Sequence, residues 1–438
     1  MNVLMIDMDG CCLDFALRVQ AYGHQVRLYI GPDKHTKERN RIGDGLVKRV
    51  NQWEPSVNWA DLIFLADNAK YMHGLAGLRD RGYPIFGPNK ETALWELDRA
   101  YGQKIIQSAG IDIIPAVSFT KYQEARNYVI KTKKRLVSKP NGDVDKALSY
   151  VSPKEYYTRS MCFMLDKWHK EGKIHDEFIL QDFIPGVEMA VGGFFGPNGF
   201  SEYLMENFEH KKLMNEDKGV NTGEMGTVLK YVTQSKLAEE VLLPLTGALH
   251  RANHTGYIDV SVIVDDSGKP WPMEITSRPG WPLDQIRLAL EQSDPVVWMY
   301  DLLEGRDTFK PSLEAAVGVV VTMPGFPSTH DTHHSNCGYP LYGLSSSNLE
   351  NIHLAQCMLG EAPDDSGKMD EAIVSVGAYT YVATGTAKRI SKAIDKVYET
   401  IGEIQLPNSP GYRTDIGKRL EKELSVLQKH GYATDWEY

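Results

Sequence analysis

The chain has 438 residues, of which 42% are hydrophobic and 24% are charged, a composition typical of globular proteins with room for several domains. The formal net charge of −10 argues against a general nucleic-acid binder, because phosphate backbones require a basic surface. The five cysteines are scattered without a CxxC pair, so neither a zinc knuckle nor a disulfide framework is indicated, and a reducing, cytoplasmic setting is expected. No signal peptide or membrane-spanning apolar run is recognised, so no membrane partner is expected.

The N-terminal part alternates short apolar runs with a helical pattern. Strands are predicted at residues 2–6, 25–30, 61–66 and 83–86, with a helix over 13–23 that stops at a glycine. Strands that alternate with helices indicate a parallel sheet with crossover helices. Residues 1–89 are therefore predicted to form an open α/β domain.

The pattern changes after residue 89. A helix is predicted over 91–110, and strands over 135–140 and 177–183. Two antiparallel hairpins are predicted over 188–208 and 256–275, because both contain glycine-rich turn sequences. These features predict an α+β domain over residues 90–311.

A third segment, residues 312–438, is predicted to form a small α+β domain. It contains an apolar strand over 372–383 and an amphipathic helix that begins near residue 390. One face of this helix carries Ile390, Ala393, Ile394, Val397 and Ile401. The predicted fold class is thus α/β and α+β multidomain.

The stretch from Glu209 to Gly226, EHKKLMNEDKGVNTGEMG, is too polar for a core. Amides of glycine-rich turns can converge on an anion, since no side chain blocks the approach, and Lys211 and Lys212 add positive charge. This pattern predicts a phosphate or carboxylate cradle, with a mobile solvated loop as the alternative.

Other charged residues stand at predicted strand ends. Lys139 ends one strand, Glu188 begins another, and Glu274 and Arg278 close the second hairpin. Each residue alone is typical of a solvated strand edge. The ordered set favours one site that handles phosphate and carboxylate groups.

These motifs resemble those of the ATP-grasp ligases, and among them the glycinamide ribonucleotide synthetases (phosphoribosylamine–glycine ligases). The family shows FGP, DHKR, GPNTGGMG, GEEAS and RKDIGWR. Here the corresponding residues are 86–88, 209–212, 219–226, 186–190 and 413–419, and the likeness covers nearly the whole chain. The resemblance implies an N-terminal pre-ATP-grasp domain, a central ATP-grasp domain and the small C-terminal domain.

The resemblance also implies roles for single residues. The protein would join a small-molecule carboxylate and an amine through an acyl phosphate, using ATP and Mg²⁺, as in purine biosynthesis. ATP would contact Arg99, Lys139, Lys146, Gln181, Phe183, Ile184 and Glu188. Glu274 and Thr276 would bind Mg²⁺, and Arg278, Lys211 and Asn221 would be the catalytic residues.

Four features of the sequence depart from the family pattern. Leu13, Asp14 and Phe15 stand near the Arg, Glu and His of the family's N-terminal loop. Thr276 replaces the asparagine of a metal-binding pair, and the ATP-covering loop at 141–148 has lost two glycines. Glu224 replaces a glycine of NTGGMG. These departures predict an altered substrate pair, with the authentic phosphoribosylamine–glycine ligase as the alternative.

Two further interpretations remain. The stretch DMDGCCLD, with Asp7, Asp9 and Asp14, resembles the first motif of haloacid-dehalogenase phosphatases, although a strand-to-helix turn explains it as well. A non-catalytic ATP-binding protein is the other alternative.

His330, Asp331, His333 and His334 could bind a transition metal, but a polar loop is favoured. Cys11 and Cys12 are interpreted as small hydrophobic residues rather than as a redox pair.

Overall fold

The computed structural model describes residues 1–8, 10–32, 40–140, 149–173, 177–327 and 336–438. The helices are α1 (Leu13–Ala21), α2 (Met72–Arg79), α3 (Lys90–Leu97), α4 (Arg99–Ser108), α5 (Tyr122–Thr132), α6 (Tyr157–Lys170), α7 (Thr246–Arg251), α8 (Leu283–Leu288), α9 (Pro295–Leu303), α10 (Ile390–Glu403) and α11 (Leu420–Lys429). The first strands are β1 (Asn2–Asp7), β2 (Gln25–Ile30), β3 (Arg49–Val50), β4 (Leu62–Leu65), β5 (Ile85–Phe86), β6 (Ala116–Phe119), β7 (Leu136–Pro140), β8 (Tyr150–Val151) and β9 (Phe178–Asp182).

The remaining strands are β10 (Gly186–Gly196), β11 (Gly199–Glu209), β12 (Lys212–Met214), β13 (Lys218–Asn221), β14 (Gly226–Val232), β15 (Gly256–Asp265), β16 (Pro270–Thr276), β17 (Ala315–Thr322), β18 (Ile352–Leu354), β19 (Cys357–Pro363), β20 (Met369–Ser375) and β21 (Tyr379–Ala387).

The first five strands form one parallel sheet in the order β3-β2-β1-β4-β5. The central strand β1 carries a continuous apolar run that is fully buried, as expected for a sheet covered on both faces. The predicted open α/β fold of the N-terminal segment is confirmed.

The predicted helix over 91–110 is two helices. Asp98 has extended backbone angles (φ −107°, ψ 95°) and separates α3 from α4. Its carboxylate accepts the amide of Tyr101 at 3.0 Å, so Asp98 caps α4 instead of continuing α3. The break makes Arg99 the first residue of α4.

Both predicted hairpins are present, as β10–β11 and β15–β16. They belong to an eight-stranded sheet with the order β16-β15-β10-β11-β14-β17-β21-β18. Strands from both sides of residue 311 therefore share one sheet. We propose that the boundaries at 89/90 and 311/312 nevertheless divide the chain into its domains.

The strand predicted over 372–383 is interrupted. Residues up to Ser375 pair in the β19–β20 hairpin, whereas β21 pairs with β17 in the large sheet. A Cβ at Gly377 would lie 2.1 Å from the Gln356 side-chain oxygen, so a larger residue between the two strands would displace that side chain. Apolar character alone did not reveal this change of partner.

A smaller sheet, β6-β9-β7-β8, packs against α5 and α6 around a core of its own. The predicted amphipathic helix is α10, and the five apolar residues predicted for one face are buried. In the described parts of the chain, no helix is both long and apolar enough to cross a membrane.

Candidate active site

Three carboxylates share one face of the large sheet. Residues that are opposite in an antiparallel pair share a face, and so do residues two apart in one strand. Glu274 opposes Ser261, and Ser261 opposes Ala190. Glu188 lies two residues before Ala190, so Glu188 and Glu274 face the same side. Glu209 joins them, because it lies two residues after the β11 partner of Ala190.

Lys211 connects these carboxylates. Its Nζ lies 3.0 Å from Glu209 Oε2, 3.4 Å from Glu188 Oε1 and 3.7 Å from Glu274 Oε1. The amide and hydroxyl of Thr222 both donate to the Lys211 carbonyl, at 2.8 and 2.9 Å, and fix its backbone. Burial lowers the pKa of Lys211, but the three carboxylates outweigh burial and hold this pKa well above its ordinary value. Lys211 is therefore a stable cation at the centre of the group.

Two more cations lie beside the same carboxylates. Arg99 Nη2 lies 3.4 Å from Glu274 Oε2, and Arg99 Nη1 is buried without a hydrogen-bond partner among the described residues. Burial, together with the nearby charges of Arg99 and Lys211, lowers the pKa of Lys139 to about 8. We call Arg99, Lys139, Lys211, Glu188, Glu209 and Glu274 the Lys211 cluster.

Arg278 lies just after β16 and pairs with an acid from α3. Its Nη2 donates to Glu96 Oε1 at 2.9 Å. Glu96 Oε2 accepts the amide of Ser277 at 3.0 Å and Asn68 Nδ2 at 2.7 Å, so this carboxylate is held from both sides. Burial lowers the pKa of Arg278, but Glu96 and Asp259 raise it overall. The sequence analysis missed Glu96, because a glutamate within a helix carries no motif.

Asp259 is a second acid that the sequence analysis missed. It is 3% exposed, opposes Thr276 across β15 and β16, and accepts the Tyr257 hydroxyl at 3.0 Å. Burial, with the nearby Glu209 carboxylate, raises the pKa of Asp259 to about 8. The signal that could have found it is the hairpin register, which places Asp259 on the face that carries Glu274.

The glycine-rich stretch forms the β12–β13 hairpin and a turn that contains Glu224. Arg413, which is 2% exposed, donates to Asp217 at 2.8 Å, to the Lys212 carbonyl at 3.0 Å and to both carboxylate oxygens of Asp415 at 2.8 Å. The segment 413–419 thus braces the hairpin. That residues 209–226 cradle a phosphate or a carboxylate stays a prediction.

Glu224 is buried close to the residues described above. Thr227 Oγ1 donates to Glu224 Oε2, and the side chain is 8% exposed. Burial raises the pKa of Glu224 well above its ordinary value, and the Glu209 carboxylate adds to the rise. Glu224 and Asp259 both help to raise the pKa of Arg278. We call Arg278, Glu96, Asp259 and Glu224 the Arg278 cluster.

The segment from Gln181 to Ile184, which the resemblance places against ATP, begins at the end of β9. Gln181 is 4% exposed and lies between β6 and β7 in the small sheet. The Phe183 amide donates to the Arg135 carbonyl at 3.0 Å, and the Arg135 guanidinium lies 3.5 Å from the Phe183 ring centre. Backbone contacts to a base from this segment, which includes Ile184, therefore have to use groups other than the Phe183 amide.

The remaining predicted site residues are placed as follows. Asn221 lies on the hairpin opposite Lys212. Thr276 lies opposite Asp259, at the end of the strand that carries Glu274. Several residues lie outside the described parts of the chain, namely Lys146, Asp9, His330, Asp331, His333 and His334.

Two acidic residues of the N-terminal stretch DMDGCCLD are held by contacts within the protein. The carboxylate of Asp7 accepts the amides of Gly10 at 2.9 Å and Cys12 at 2.8 Å, which holds the strand-to-helix turn before α1. Asp14 is buried and pairs with Arg18 at 3.0 Å and His353 at 2.8 Å. These contacts favour the turn interpretation over the phosphatase interpretation.

The described residues contain no group of three or more His, Cys, Asp or Glu side chains placed to hold a metal ion. Glu274 is paired with Arg99 and Lys211. Any Mg²⁺ bound at Glu274 therefore has to take most of its ligands from substrate or water.

Comparison with known proteins gives a consistent result. Residues 97–281 match the family model described as phosphoribosylglycinamide synthetase, ATP-grasp (A) domain. The phosphoribosylamine–glycine ligase of Halalkalibacterium halodurans is 26% identical over 371 residues, which are 80% of this chain and 81% of that protein. The corresponding ligase of Neisseria meningitidis serogroup B is 25% identical over 354 residues, which are 78% of this chain and 80% of that protein.

A solved structure shares the fold. The crystal structure of phosphoribosylamine–glycine ligase from Thermotoga maritima matches with a TM-score of 0.70 at 19% identity, covering 95% of this chain and 100% of that chain. The resemblance drawn from the sequence motifs and the predicted fold class are thereby confirmed.

Proposed function

We propose, from the match of residues 97–281 to the family model described as phosphoribosylglycinamide synthetase, ATP-grasp (A) domain, that the whole chain is an ATP-dependent carboxylate–amine ligase. The observation that carries the proposal is the Lys211 cluster, where three cations meet three carboxylates. ATP with Mg²⁺ would supply the phosphoryl group that activates a carboxylate as an acyl phosphate. The relatives' names support C–N bond formation as the outcome.

The side chains of this cluster fit a polyphosphate. The buried, unpartnered Nη1 of Arg99 offers a hydrogen bond that no described residue accepts. Lys139 and Lys211 add two positive charges beside it. Positioned cations stabilise the charge that develops during phosphoryl transfer. Arg99, Lys139 and Lys211 are therefore proposed to hold the phosphates, with Glu188 on the ribose hydroxyls.

The possible ligands around Glu274 suit Mg²⁺ better than a metal ion that takes all of its ligands from the protein. Mg²⁺ is usually held by one or two carboxylates together with substrate phosphates and water. Glu274 offers a carboxylate, whereas Thr276 offers only a hydroxyl and lies opposite the acid Asp259. We assign the metal contact to Glu274, with Thr276 as its weaker companion.

Arg278 is proposed to bind the substrate carboxylate. Its planar fork can hold two oxygens at once, and Glu96 already orients one edge of the guanidinium. The raised pKa of Arg278 keeps it charged at every ordinary pH. Lys211 and Asn221 complete the proposed catalytic group, with Lys211 directed at the transferred phosphate.

We propose that the substrate pair differs from phosphoribosylamine and glycine. The three residues at the start of α1 that depart from the family pattern, Leu13, Asp14 and Phe15, are 0–5% exposed and pack inward. Buried in this way, they offer no exposed polar side chain to a substrate. The authentic phosphoribosylamine–glycine ligase is the alternative, and efficient synthesis of glycinamide ribonucleotide by the purified protein would establish it.

Release of ADP tests the ligase proposal. Purified full-length protein is mixed with ATP, Mg²⁺ and pools of carboxylates, with hydroxylamine present as a trapping amine. ADP and a hydroxamate are expected together, because hydroxylamine intercepts an acyl phosphate. Glu274→Gln is the matched control and should release neither. Nucleotide binding without any turnover would favour the non-catalytic alternative, and absence of nucleotide binding would contradict both.

The pH dependence of nucleotide affinity tests the role of Lys139. Below about pH 8 Lys139 is charged in the free protein, and above it the group loses its proton. Phosphates restore the charge, so binding above this pH requires proton uptake, and affinity should fall by up to about tenfold per pH unit. Titration with a non-hydrolysable ATP analogue at pH 7, 8 and 9 measures this.

Lys139→Arg is the control for that experiment. Arginine keeps its charge across this range, so the variant should bind the analogue with nearly constant affinity. Equal affinity of the unmodified protein at pH 7 and 9 would remove Lys139 from the phosphate site.

A further inference from the structure

Lys211 lies immediately before the β12–β13 hairpin, which has little support of its own. The two strands are three and four residues long and, among the described residues, they pair only with each other. Met214 and Val220 are 57% and 55% exposed, so their apolar side chains bury little surface. A two-stranded hairpin is marginally stable by itself in water, so contacts from elsewhere have to hold this one in place.

The tip of the hairpin is held by the segment 413–415. Glu216 and Asp217 are consecutive non-glycine residues with positive φ angles of 59° and 52°. Left-handed backbone is unfavourable for residues with a side chain, and it persists where surrounding contacts fix it. Here Asp415 accepts the Glu216 amide at 2.8 Å, and Arg413 donates to the Asp217 carboxylate at 2.8 Å. The hairpin therefore keeps a shape that it would not favour alone.

Two arginines of the C-terminal part hold the backbone on both sides of Lys211. Arg413 Nη1 donates to the Lys212 carbonyl at 3.0 Å, and Arg419 Nη2 donates to the Glu209 carbonyl at 2.9 Å. The Glu209 side chain is also the nearest of the three carboxylates to Lys211 Nζ, at 3.0 Å. A shift of either carbonyl group would therefore move the ammonium group of Lys211 relative to these carboxylates.

His210 makes a third connection to the same segment. The amide of Gly417 donates to His210 Nε2 at 3.2 Å. Burial, together with the charge of Arg419, lowers the pKa of His210 to about 3, so the ring is neutral and Nε2 has a lone pair that accepts this bond. The residue directly before Lys211 is therefore held as well.

The segment 413–419 is itself anchored to the large sheet through α10. The Tyr398 hydroxyl, from α10, donates to the Arg413 carbonyl at 2.9 Å and accepts the Ile416 amide at 3.2 Å. The helix α10 packs on β17 and β21 of the eight-stranded sheet. The sheet that carries the three carboxylates thus also fixes, through α10 and this segment, the cation that faces them.

We propose that Arg413 and Arg419 are positioning residues of the nucleotide site, which hold Lys211 where its ammonium group meets the phosphates of ATP. They act through the backbone of residues 209–212. The inference rests on the proposed role of Lys211 in binding these phosphates. It also gives the site a component from the C-terminal segment, which lies outside the residues matched by the family model.

A double-mutant cycle separates positioning from a general structural role. Calorimetry measures the affinity of full-length protein for a non-hydrolysable ATP analogue with Mg²⁺, in Arg413→Met, in Lys211→Met and in the double variant. Arg413→Met alone should weaken binding about tenfold. In the Lys211→Met background, the same change should weaken binding by less than about twofold, because the cation that Arg413 positions is already absent.

A lysine variant distinguishes geometry from charge. Arg413→Lys keeps the positive charge but loses the planar fork that reaches Asp217, Asp415 and the Lys212 carbonyl. It should still weaken binding by at least about threefold, the equivalent of one lost hydrogen bond. If charge alone were responsible, this variant would bind like the unmodified protein.

Arg419→Met keeps the test valid if Arg413→Met does not fold. It removes the bond to the Glu209 carbonyl and an ion pair with Glu423 at 3.5 Å. It should weaken binding about threefold in the presence of Lys211 and by less than about twofold in Lys211→Met. Arg389→Met is the control, because this exposed arginine pairs with Glu437 in the same C-terminal part, and it should match the unmodified protein. Thermal unfolding shows which variants are folded.

The outcomes are separable. Equal losses from Arg413→Met in the two backgrounds overturn the inference, because the effect then does not pass through Lys211. Unchanged affinity in folded Arg413→Met and Arg419→Met overturns it as well. If the analogue binds but Lys211→Met binds it equally well, the inference falls together with the phosphate role of Lys211. Failure of the analogue to bind the unmodified protein contradicts the ligase proposal itself, and this is measured first.

Discussion

Replacing Lys211 with methionine is expected to weaken the binding of a non-hydrolysable ATP analogue by about 10- to 100-fold. A hydrogen bond to a charged group contributes about 1.5–3 kcal/mol, and each 1.4 kcal/mol is a factor of about ten in affinity. Methionine has a similar length but no charge, so the change removes the cation that lies within 3.0–3.7 Å of three carboxylates. Glu188, Glu209 and Glu274 then repel the phosphates more strongly. Titration calorimetry in the presence of Mg²⁺ measures the loss.

The next residue provides the control. Lys212→Met removes a charge from the adjacent position, where the backbone carbonyl is braced by Arg413 and the side chain pairs with none of the three carboxylates. This variant should bind the analogue within about twofold of the unmodified protein. Equal losses in the two variants would mean that general positive charge, rather than the Lys211 cluster, attracts the nucleotide.

Replacing Arg287 with methionine is expected to lower the free energy of unfolding by about 3–5 kcal/mol, the range for breaking a buried ion pair. Arg287 Nε lies 2.6 Å from Asp284 Oδ1 and its Nη1 lies 2.6 Å from Glu291 Oε2, and all three side chains are at most 4% exposed. The change leaves two buried acids without the arginine that pairs with both of them. Urea unfolding followed by tryptophan fluorescence measures the loss.

An exposed arginine that pairs with an aspartate at the same nitrogen-to-oxygen distance serves as the comparison. Arg306 Nη2 lies 2.6 Å from Asp301 Oδ1, but the Arg306 side chain is 58% exposed. Water screens this pair, so Arg306→Met should leave the unfolding midpoint unchanged within error. Adding Asp284→Leu and Glu291→Leu to Arg287→Met should recover much of the loss, because apolar groups need no counter-charge. No recovery would show that packing, and not unpaired charge, causes the destabilisation.

Local features of the structure could be predicted from the sequence. The β10–β11 and β15–β16 hairpins were found because their turns contain the residues that such turns require. The buried face of α10 was found because helical periodicity depends on neighbours within a few turns. The helix break at Asp98 was missed, since the same residue is acceptable on a helix surface and at a helix start.

The site was only partly predictable. Motifs identified Lys139, Lys211, Glu188 and Glu274, and the structure brings them together. Glu96 and Asp259 carried no motif. Glu96 matters because it accepts a hydrogen bond from Arg278, which is far from it in sequence, and Asp259 matters because its charge helps to raise the pKa of Arg278. A single sequence does not show such contacts, because they depend on how the elements pack.

The amino-acid sequence by itself determined the strands, the turns and the order of the charged motifs, because these depend on short-range backbone preferences and side-chain periodicity. Only the tertiary structure decided which charges meet and which are buried. Sheet register placed Asp259 opposite Thr276, and burial raised the pKa values of Asp259 and Glu224. The electrostatic character of the site follows from distance and solvent exclusion, and neither exists until the chain has folded.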